Sequence, residues 1–181
     1  MGLLICVDGI DGAGKTTVAK KLCANGDFHY FQSPSGPFKW LRKWADRWLP
    51  PLKRYKFYMW GNVFSSIQIW WLLKRGKSVV CDRFWASTVA YHVAMDKRIL
   101  GVHHYRLLVK PSLYFILEVR SDIRNKRILK RPESKKAEKN SVFLDRVAVV
   151  FRELDGSFQY LDTSGKTPKE VVREIISITR K

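Results

Sequence analysis

The sequence stretch "VDGIDGAGKTT", residues 7–17, decides the fold. Its central part, from Gly9 to Thr16, matches the spacing G-x-x-x-x-G-K-[ST] and lies between an apolar run and a helical pattern. Glycines at positions 9, 12 and 14 allow successive backbone N–H groups to converge on a phosphate chain, and the following helix adds the positive end of its dipole. An ordinary glycine turn is the weaker interpretation, because few chains contain this pattern by chance at a glycine frequency of about 7%.

The same stretch supplies the side chains that handle a phosphate. Lys15 can reach the β and γ phosphates, and the hydroxyl of Thr16 is the expected ligand of Mg²⁺. The motif therefore predicts nucleotide binding and leaves the reaction open. The predicted binding segment comprises Gly9, Ile10, Asp11, Gly12, Ala13, Gly14, Lys15, Thr16 and Thr17.

Short β-rich runs alternate with helical patterns along the rest of the chain. Strands are predicted at residues 3–7, 28–32, 78–81, 113–119 and 158–162. Helices are predicted at residues 15–24, 38–49, 55–75, 85–95, 122–130, 141–155 and 168–179. Because such alternation implies crossover connections, we expect a three-layer α/β fold of the P-loop NTPase type, with a five-stranded parallel sheet flanked by helices. Residues 1–181 would form a single domain, with ligands at the carboxyl edge of the sheet.

A second motif, "SVVCDRFWASTVAY" at residues 78–91, ends a predicted strand with Asp82 and continues with Arg83. A carboxylate at this strand end can hold the magnesium shell, and the arginine can clamp a transferring phosphoryl group. We therefore assign Asp82 to the metal site together with Thr16, and we assign Lys15, Asp82 and Arg83 to catalysis. The alternative is that Asp82 caps the next helix and pairs with Arg83.

The segment "RSDIRNKRILKRPESKKAEK", residues 120–139, is strongly basic. Between residues 124 and 139 it carries eight basic and two acidic side chains. The spacing of Arg124, Arg127 and Arg131 places them on one helical face, which could close over the phosphates as a short lid at about residues 124–140. The alternative is a solvated basic surface.

Composition limits the partners. The net charge of +18 favours anions, which are nucleotides, nucleic acid or acidic lipid. No apolar run approaches the roughly 18 residues of a membrane span, so we expect no membrane partner and a cytoplasmic location. Nucleic acid is not the expected partner, because the i, i+4, i+8 spacing of Trp40, Trp44 and Trp48 is typical of the buried stripe of a helix.

In order and spacing, these motifs resemble those of the thymidylate kinase family over nearly the whole chain. The matching stretches are the glycine loop with its internal aspartate, "DRFWASTVAY", "KPSLYFILEV", an R-x-x-x-R spacing, "FLDRVAVVFREL" and "QYLDTSGKTPKEVVREI". The set is specific to the family, whereas a lone glycine loop would not be.

The resemblance implies that ATP, with Mg²⁺, donates its γ-phosphoryl group to the 5′-phosphate of a deoxynucleoside monophosphate, converting dTMP to dTDP. It implies that Arg127 and Arg131 are catalytic lid arginines on ATP and that Arg83 bridges the two phosphate sites. It also implies a homodimer through helices near Trp60 and Trp70.

The resemblance further implies an acceptor site in which each side chain has a role. Tyr58 would stack on the base, Thr88 would read the thymine edge, and Tyr91 would lie against the ribose. The complete implied set is Asp11, Tyr58, Asn62, Arg83, Ser87, Thr88 and Tyr91.

Two positions depart from the family pattern. The family usually has an arginine where this chain has Asn62, and members often have an acidic residue where it has Ser33. An amide cannot form the bidentate, charge-assisted grip on a phosphate that an arginine forms. These departures leave open a deoxynucleoside kinase, a kinase for another pyrimidine monophosphate and an inactive paralogue. The +18 charge and the seven tryptophans leave open a nucleic-acid-binding P-loop ATPase.

Overall fold

The computed structural model describes residues 2–99, 107–130 and 140–179, and its centre is a parallel β-sheet. The strands are β1 (Leu4–Gly9), β2 (Phe28–Gln32), β3 (Ser78–Asp82), β4 (Leu113–Glu118) and β5 (Gln159–Asp162). Every pairing is parallel, in the order β2-β3-β1-β4-β5. The predicted five-stranded parallel sheet is confirmed.

Strand β1 lies between β3 and β4, and each of its residues is buried. Its apolar run is continuous rather than alternating because helices cover both faces of the sheet. In the register of the two strands, Val7 on β1 pairs with Asp82 on β3. The glycine loop after β1 and the Asp82–Arg83 end of β3 therefore meet at the same edge of the sheet.

Helices connect the strands and cover the sheet. They are α1 (Lys15–Ala24), α2 (Gly36–Trp40), α3 (Arg42–Trp48), α4 (Pro51–Lys74), α5 (Trp85–Met95), α6 (Ser121–Leu129), α7 (Ser141–Glu153) and α8 (Pro168–Thr179), with a short 3-10 helix at Lys97–Ile99. Helix α1 packs against α8, and α5 packs against α4 and α7. Within the described ranges, no helix is both long and apolar enough to cross a membrane.

Two of the predicted helices differ from the observed ones. The helix predicted at residues 38–49 is two helices, α2 and α3, and the helix predicted at 55–75 begins earlier, at Pro51. Helices α2 and α4 both have a proline in their first turn. This position suits proline because the first N–H groups of a helix have no partner within it.

The tryptophan stripe of α2 and α3 is not buried, contrary to the prediction. Trp40, Trp44 and Trp48 are 81%, 51% and 65% exposed. The only buried residue of α3 is Ala45, so this short helix adds one small side chain, and no tryptophan, to the interior. Trp40 lies on α2 and Trp44 and Trp48 lie on α3, so the three do not form one helical stripe, and none of them belongs to the core.

Candidate active site

The loop between β1 and α1 has the backbone of a phosphate site. Gly9 has φ +135°, and a Cβ atom there would lie 2.2 Å from the carbonyl oxygen of Leu117 on β4. Gly14 has φ +93°, and α1 begins directly after it without a side-chain cap. The N–H groups in the first turn of α1 are therefore available to an anion, which the helix dipole also favours.

Lys15 is held inside this loop. Its ammonium group donates a 2.7 Å hydrogen bond to the carbonyl oxygen of Ile10 and lies 3.6 Å from the carboxylate of Asp11. Burial and the positive charge of Arg83 lower the pKa of Lys15 to about 8, so the side chain is mostly protonated at neutral pH. An anionic phosphate chain would offer this buried cation a stronger partner than a backbone carbonyl.

Asp11 joins the glycine loop to the end of β3. Its carboxylate accepts a short hydrogen bond from Arg83, and its backbone N–H donates to the hydroxyl of Tyr91 at 2.9 Å. Burial would raise the pKa of Asp11, but the charges of Arg83 and Lys15 outweigh burial and hold that pKa well below its usual range. The carboxylate therefore stays ionised and neutralises part of the two cations.

Asp82, at the end of β3, and Thr16, in the first turn of α1, contact each other directly. The Thr16 hydroxyl donates to Asp82 Oδ2 at 2.7 Å, and the Tyr30 hydroxyl donates to the same oxygen at 2.9 Å. The other oxygen, Oδ1, is buried and has no hydrogen-bond partner. The Thr16 hydroxyl and the Asp82 carboxylate, with its unused oxygen, fit Mg²⁺, which prefers oxygen ligands and completes its shell with water and phosphate oxygens. The described residues contain no cluster of three or more His, Cys, Asp or Glu that could hold a metal without such help.

Asp8, rather than Asp82, caps the helix that carries the acceptor residues. Its fully buried carboxylate accepts hydrogen bonds from the backbone N–H groups of Phe84, at 3.0 Å, and Ser87, at 3.3 Å. It also accepts from the hydroxyls of Ser87 and Tyr114. The alternative role considered for Asp82 is therefore wrong, and Asp8 fixes the start of α5 relative to the sheet.

A second cavity, of about 270 Å³, opens beside the glycine loop. It is bounded by the ends of β2 and β3 and by α3, α4, α5 and α7. All seven residues predicted for the acceptor line this cavity: Asp11, Tyr58, Asn62, Arg83, Ser87, Thr88 and Tyr91. The structure thus brings the predicted set together, and Arg83 belongs both to this cavity and to the charge cluster of the glycine loop.

Asn62 is used inside the protein rather than offered to a ligand. Its Nδ2 donates to the Thr88 hydroxyl at 2.9 Å, and its Oδ1 accepts from the Ser33 hydroxyl at 2.9 Å. Only 1% of the residue is exposed. The two departures from the family pattern, Ser33 and Asn62, are therefore hydrogen-bonded to each other, and together they hold Thr88 in place.

The aromatic wall of the cavity is fixed by polar contacts. The Tyr58 hydroxyl donates to Asp46 Oδ1 at 2.7 Å and accepts from Arg42 Nε at 3.1 Å. Its ring lies 5.3 Å from the ring of His92, measured between centroids. Burial, more than the carboxylate of Asp46, raises the pKa of Tyr58 to about 12, so its hydroxyl stays protonated.

Sequence reasoning missed three polar residues of the cavity wall: Arg42, Asp46 and Arg54. From its place after Tyr91, His92 is expected near the acceptor site, where helix packing is favoured over a contact with the base; in the structure this histidine lines the cavity. The pattern gave little signal for them, because α3 and the first turns of α4 are rich in basic residues throughout. Only the packing of α3 and α4 distinguishes the inward arginines from the solvated ones.

In the described part of the basic segment, the arginines have different partners. Arg127 reaches the glycine loop, donating to the carbonyl oxygens of Gly12 at 3.3 Å and Thr163 at 3.0 Å. Arg124, by contrast, is buried and donates to Asp145 at 2.7 Å, so it anchors α6 to α7. The expectation that Arg124 would be available to a phosphate is therefore wrong. Arg131 and most of the predicted lid, residues 131–139, lie outside the described residues.

Comparisons with known proteins agree with this geometry. The family model described as thymidylate kinase matches residues 51–175. A probable thymidylate kinase from Archaeoglobus fulgidus is 30% identical over 96% of this chain and 94% of that protein. One from Methanocaldococcus jannaschii is also 30% identical, with the same coverage of 96% and 94%. A solved thymidylate kinase from Candida albicans has the same fold, with a TM-score of 0.79 at 21% identity over 99% of this chain and 91% of that chain.

A glycine loop for a phosphate chain, a second cavity and an arginine between them define a nucleotide-dependent phosphotransferase. The match to the family and to full-length relatives then gives the narrower identity. The chain belongs to the thymidylate kinase family and is a nucleoside-monophosphate kinase.

Proposed function

We propose that this protein transfers the γ-phosphoryl group of ATP to the 5′-phosphate of a deoxynucleoside monophosphate, with dTMP as the preferred acceptor. A phosphate oxygen of dTMP forms the new bond to the γ phosphorus, the bond from that phosphorus to the β–γ bridging oxygen breaks, and the products are ADP and dTDP. The observation that carries the proposal is the position of Arg83, which contacts the glycine loop through Asp11 and also lines the acceptor cavity.

The residues of the site divide the work by charge. Lys15 and the first turn of α1 would hold the β and γ phosphates, and Arg83 would neutralise charge where donor and acceptor meet. Arg127, which already touches the loop at Gly12, would approach the donor phosphates from the other side. Thr16 and Asp82 would hold Mg²⁺, which when bound neutralises phosphate charge and orients the phosphates.

An acceptor panel tests this proposal. ATP and Mg²⁺ are offered with dTMP, dUMP, dCMP and thymidine in a steady-state assay that couples ADP release to NADH oxidation. We expect the highest kcat/KM on dTMP and turnover clearly above that of Lys15→Ala. Turnover on thymidine with none on dTMP would instead identify a deoxynucleoside kinase, and turnover no greater than in Lys15→Ala would identify an inactive paralogue.

A homodimer is part of the proposal, and the outer face of α4 supports it. One side of this helix is buried in the protein, yet its opposite side exposes Trp60, Phe64, Ile67 and Trp71 at helical spacing. A helix that is apolar on both sides is typical of one that is covered on both sides. Sedimentation equilibrium should give twice the chain mass, and Trp60→Glu combined with Ile67→Glu should shift it to the monomer. The cytoplasmic location stays a prediction.

The exposed tryptophans favour single-stranded nucleic acid as a second candidate partner. Trp40, Trp44 and Trp48 are solvated, and each follows a basic residue: Lys39, Lys43 and Arg47. Aromatic faces on a cationic surface can stack bases. Fluorescence anisotropy with a labelled oligonucleotide would support this partner if submicromolar binding persists at physiological salt. Binding that disappears as salt rises would show only the general attraction of a +18 protein.

A further inference from the structure

Two buried polar atoms in the wall of the acceptor cavity have no hydrogen-bond partner. They are Nε of Arg54, on α4, and Nε2 of His92, on α5. A buried polar atom without a partner is destabilising, so such atoms are uncommon and require an explanation. Both residues line the same cavity, and no role in the proposed transfer has yet been assigned to either.

The hydrogen bond at Nδ1 of His92 determines which atoms carry protons. Nδ1 lies 2.7 Å from the backbone carbonyl oxygen of Thr88. Because a carbonyl oxygen only accepts, Nδ1 must carry the hydrogen, and Nε2 of the neutral ring is then a lone-pair acceptor. Burial lowers the pKa of His92 to about 4, and the positive charge of Arg54 acts in the same direction, so the ring is neutral at pH 7.

The ring of His92 is also fixed in position. It lies between Tyr55 and Tyr58, at centroid distances of 5.8 Å and 5.3 Å. Since Tyr58 is the residue expected to stack on the base, the edge of a stacked base would lie close to His92. Arg54 is held nearby: its Nη1 donates to the backbone carbonyl of Asp46 at 3.3 Å, and its Nη2 contacts Met95 Sδ. The guanidinium therefore has partners at both Nη atoms and none at Nε.

Arg54 and His92, two residues of the cavity wall, thus each carry an unpartnered nitrogen, one a donor and the other an acceptor. The edge of thymine or uracil carries the complement, a carbonyl oxygen next to a ring N–H, whereas cytosine carries an amino group next to a ring lone pair. Asn62 cannot do this reading, because its amide is already bonded to Thr88 and Ser33.

We propose that Arg54 Nε–H and His92 Nε2 read the edge of the acceptor base, donating to a ring carbonyl oxygen and accepting from the neighbouring ring N–H, and so select 4-oxopyrimidines over cytosine. This inference rests on the proposed function, because it concerns the acceptor of that reaction. The role proposed for Arg54 differs from that of the arginine that the family usually has in place of Asn62, which would grip the acceptor's phosphate.

The test compares dTMP, dUMP and dCMP in two variants. His92→Phe keeps a ring and removes the acceptor atom, and Arg54→Met keeps the length of the stem and removes the donor. Each should lower kcat/KM about tenfold for dTMP and for dUMP alike, because the two bases share this edge, and each should leave dCMP within about twofold. The controls His29→Phe and Arg173→Met alter exposed residues outside the cavity and should leave all three values unchanged.

A second variant separates base reading from packing. The amide of His92→Gln can turn its oxygen to dTMP or its N–H to dCMP, so we expect dTMP to recover toward the wild-type value and the preference over dCMP to narrow. Equal losses on all three nucleotides, or a His92→Gln variant that behaves like His92→Phe, would overturn the proposal and reduce His92 to a packing residue.

Direct binding distinguishes this inference from the proposed function. Calorimetric titration of dTMP and dCMP into the wild type and both variants requires no turnover. Preferential dTMP binding that the variants lose would support the pair even if no phosphoryl transfer occurs, and in that case only the proposed function fails. If the variants keep normal dTMP kinase activity and an unchanged ratio of kcat/KM for dTMP to kcat/KM for dCMP, only the role proposed for Arg54 and His92 is overturned. Failure of the wild type to bind either nucleotide would overturn both.

Discussion

Replacing Asp11 by asparagine should destabilise the nucleotide-free protein and make its stability unusually dependent on nucleotide. Asp11 is the carboxylate between Lys15, which is 4% exposed, and the side chain of Arg83, which is 26% exposed. Asparagine keeps the shape and a hydrogen-bond acceptor for Arg83 but removes the carboxylate that contacts both cations, and Asp82 remains only as a weaker counter-charge.

The size of the effect follows from the burial of this group. Breaking a buried ion pair by neutralising one partner costs about 3–5 kcal/mol, and the partial exposure of Arg83 argues for about 3 kcal/mol. In a protein of this length each kcal/mol shifts Tm by about 2–4 °C, so we expect Tm to fall by about 6–12 °C. The phosphates of a bound nucleotide would then supply the missing negative charge, so a saturating non-hydrolysable ATP analogue should recover at least half of the loss.

Thermal melts followed by circular dichroism, with and without the analogue, measure both effects. Asp27→Asn is the matched control, because Asp27 is exposed in the turn before β2 and should melt like the wild type under both conditions. A Tm for Asp11→Asn within about 2 °C of the wild type would refute the charge argument. An equal shift by the analogue in variant and wild type would refute the idea that phosphate replaces the carboxylate.

Three further predictions follow from the same geometry. Lys15→Ala should reduce kcat by several orders of magnitude in the coupled assay, because positioning and charge stabilisation supply most of the catalysis of phosphoryl transfer; activity near the wild-type level would remove Lys15 from the donor site. Asn62→Leu should lower the free energy of unfolding in urea by about 2–4 kcal/mol, because it leaves the buried hydroxyls of Ser33 and Thr88 without their partner, whereas an unchanged midpoint would mean that these hydrogen bonds contribute little. The unfolded chain binds a proton at His92 below pH 6.5 and the folded chain only near pH 4, so stability should fall by about 3 kcal/mol between those values, and urea titrations of His92→Phe should lack this loss.

Much of the donor half of the site could be predicted from the sequence because its chemistry is local. The glycine loop, Lys15 and Thr16 occupy one continuous stretch, and their conformation follows from glycine positions and a helix start. Asp82 and Arg83 were predictable because a residue just after a buried parallel strand must lie at the same edge as the loop after β1. The helical spacing predicted that Arg127 lies on a face directed at the phosphates. The same spacing wrongly included Arg124, because spacing does not reveal which arginine has a carboxylate partner.

The acceptor half depended on the resemblance to a family, and its details depended on packing. No pattern distinguished Arg54 and Arg42 from the other basic residues of α3 and α4, or predicted that Ser33, Asn62 and Thr88 form one hydrogen-bonded chain. The role of Asp8 was hidden for the same reason: its partners on α5 lie more than 70 positions away in the sequence. Trp40, Trp44 and Trp48 show the limit of such patterns, because a helical spacing in the sequence does not establish that the segment is one helix or that the side chains are buried.

The sequence by itself therefore determined the parallel α/β sheet and the phosphate loop, because backbone conformation, hydrophobic periodicity and strand ends are properties of short segments. Only the tertiary structure decided which polar atoms are satisfied and which stay free, because that depends on side chains that several distant elements bring together. The tertiary structure decided three such features: the different partners of Arg124 and Arg127, the hydrogen bond from Asn62 to Thr88, and the unpartnered nitrogens of Arg54 and His92. Hydrogen bonds between distant helices and strands exist only in the packed chain. They decide whether a polar side chain stabilises the structure or remains available to a ligand.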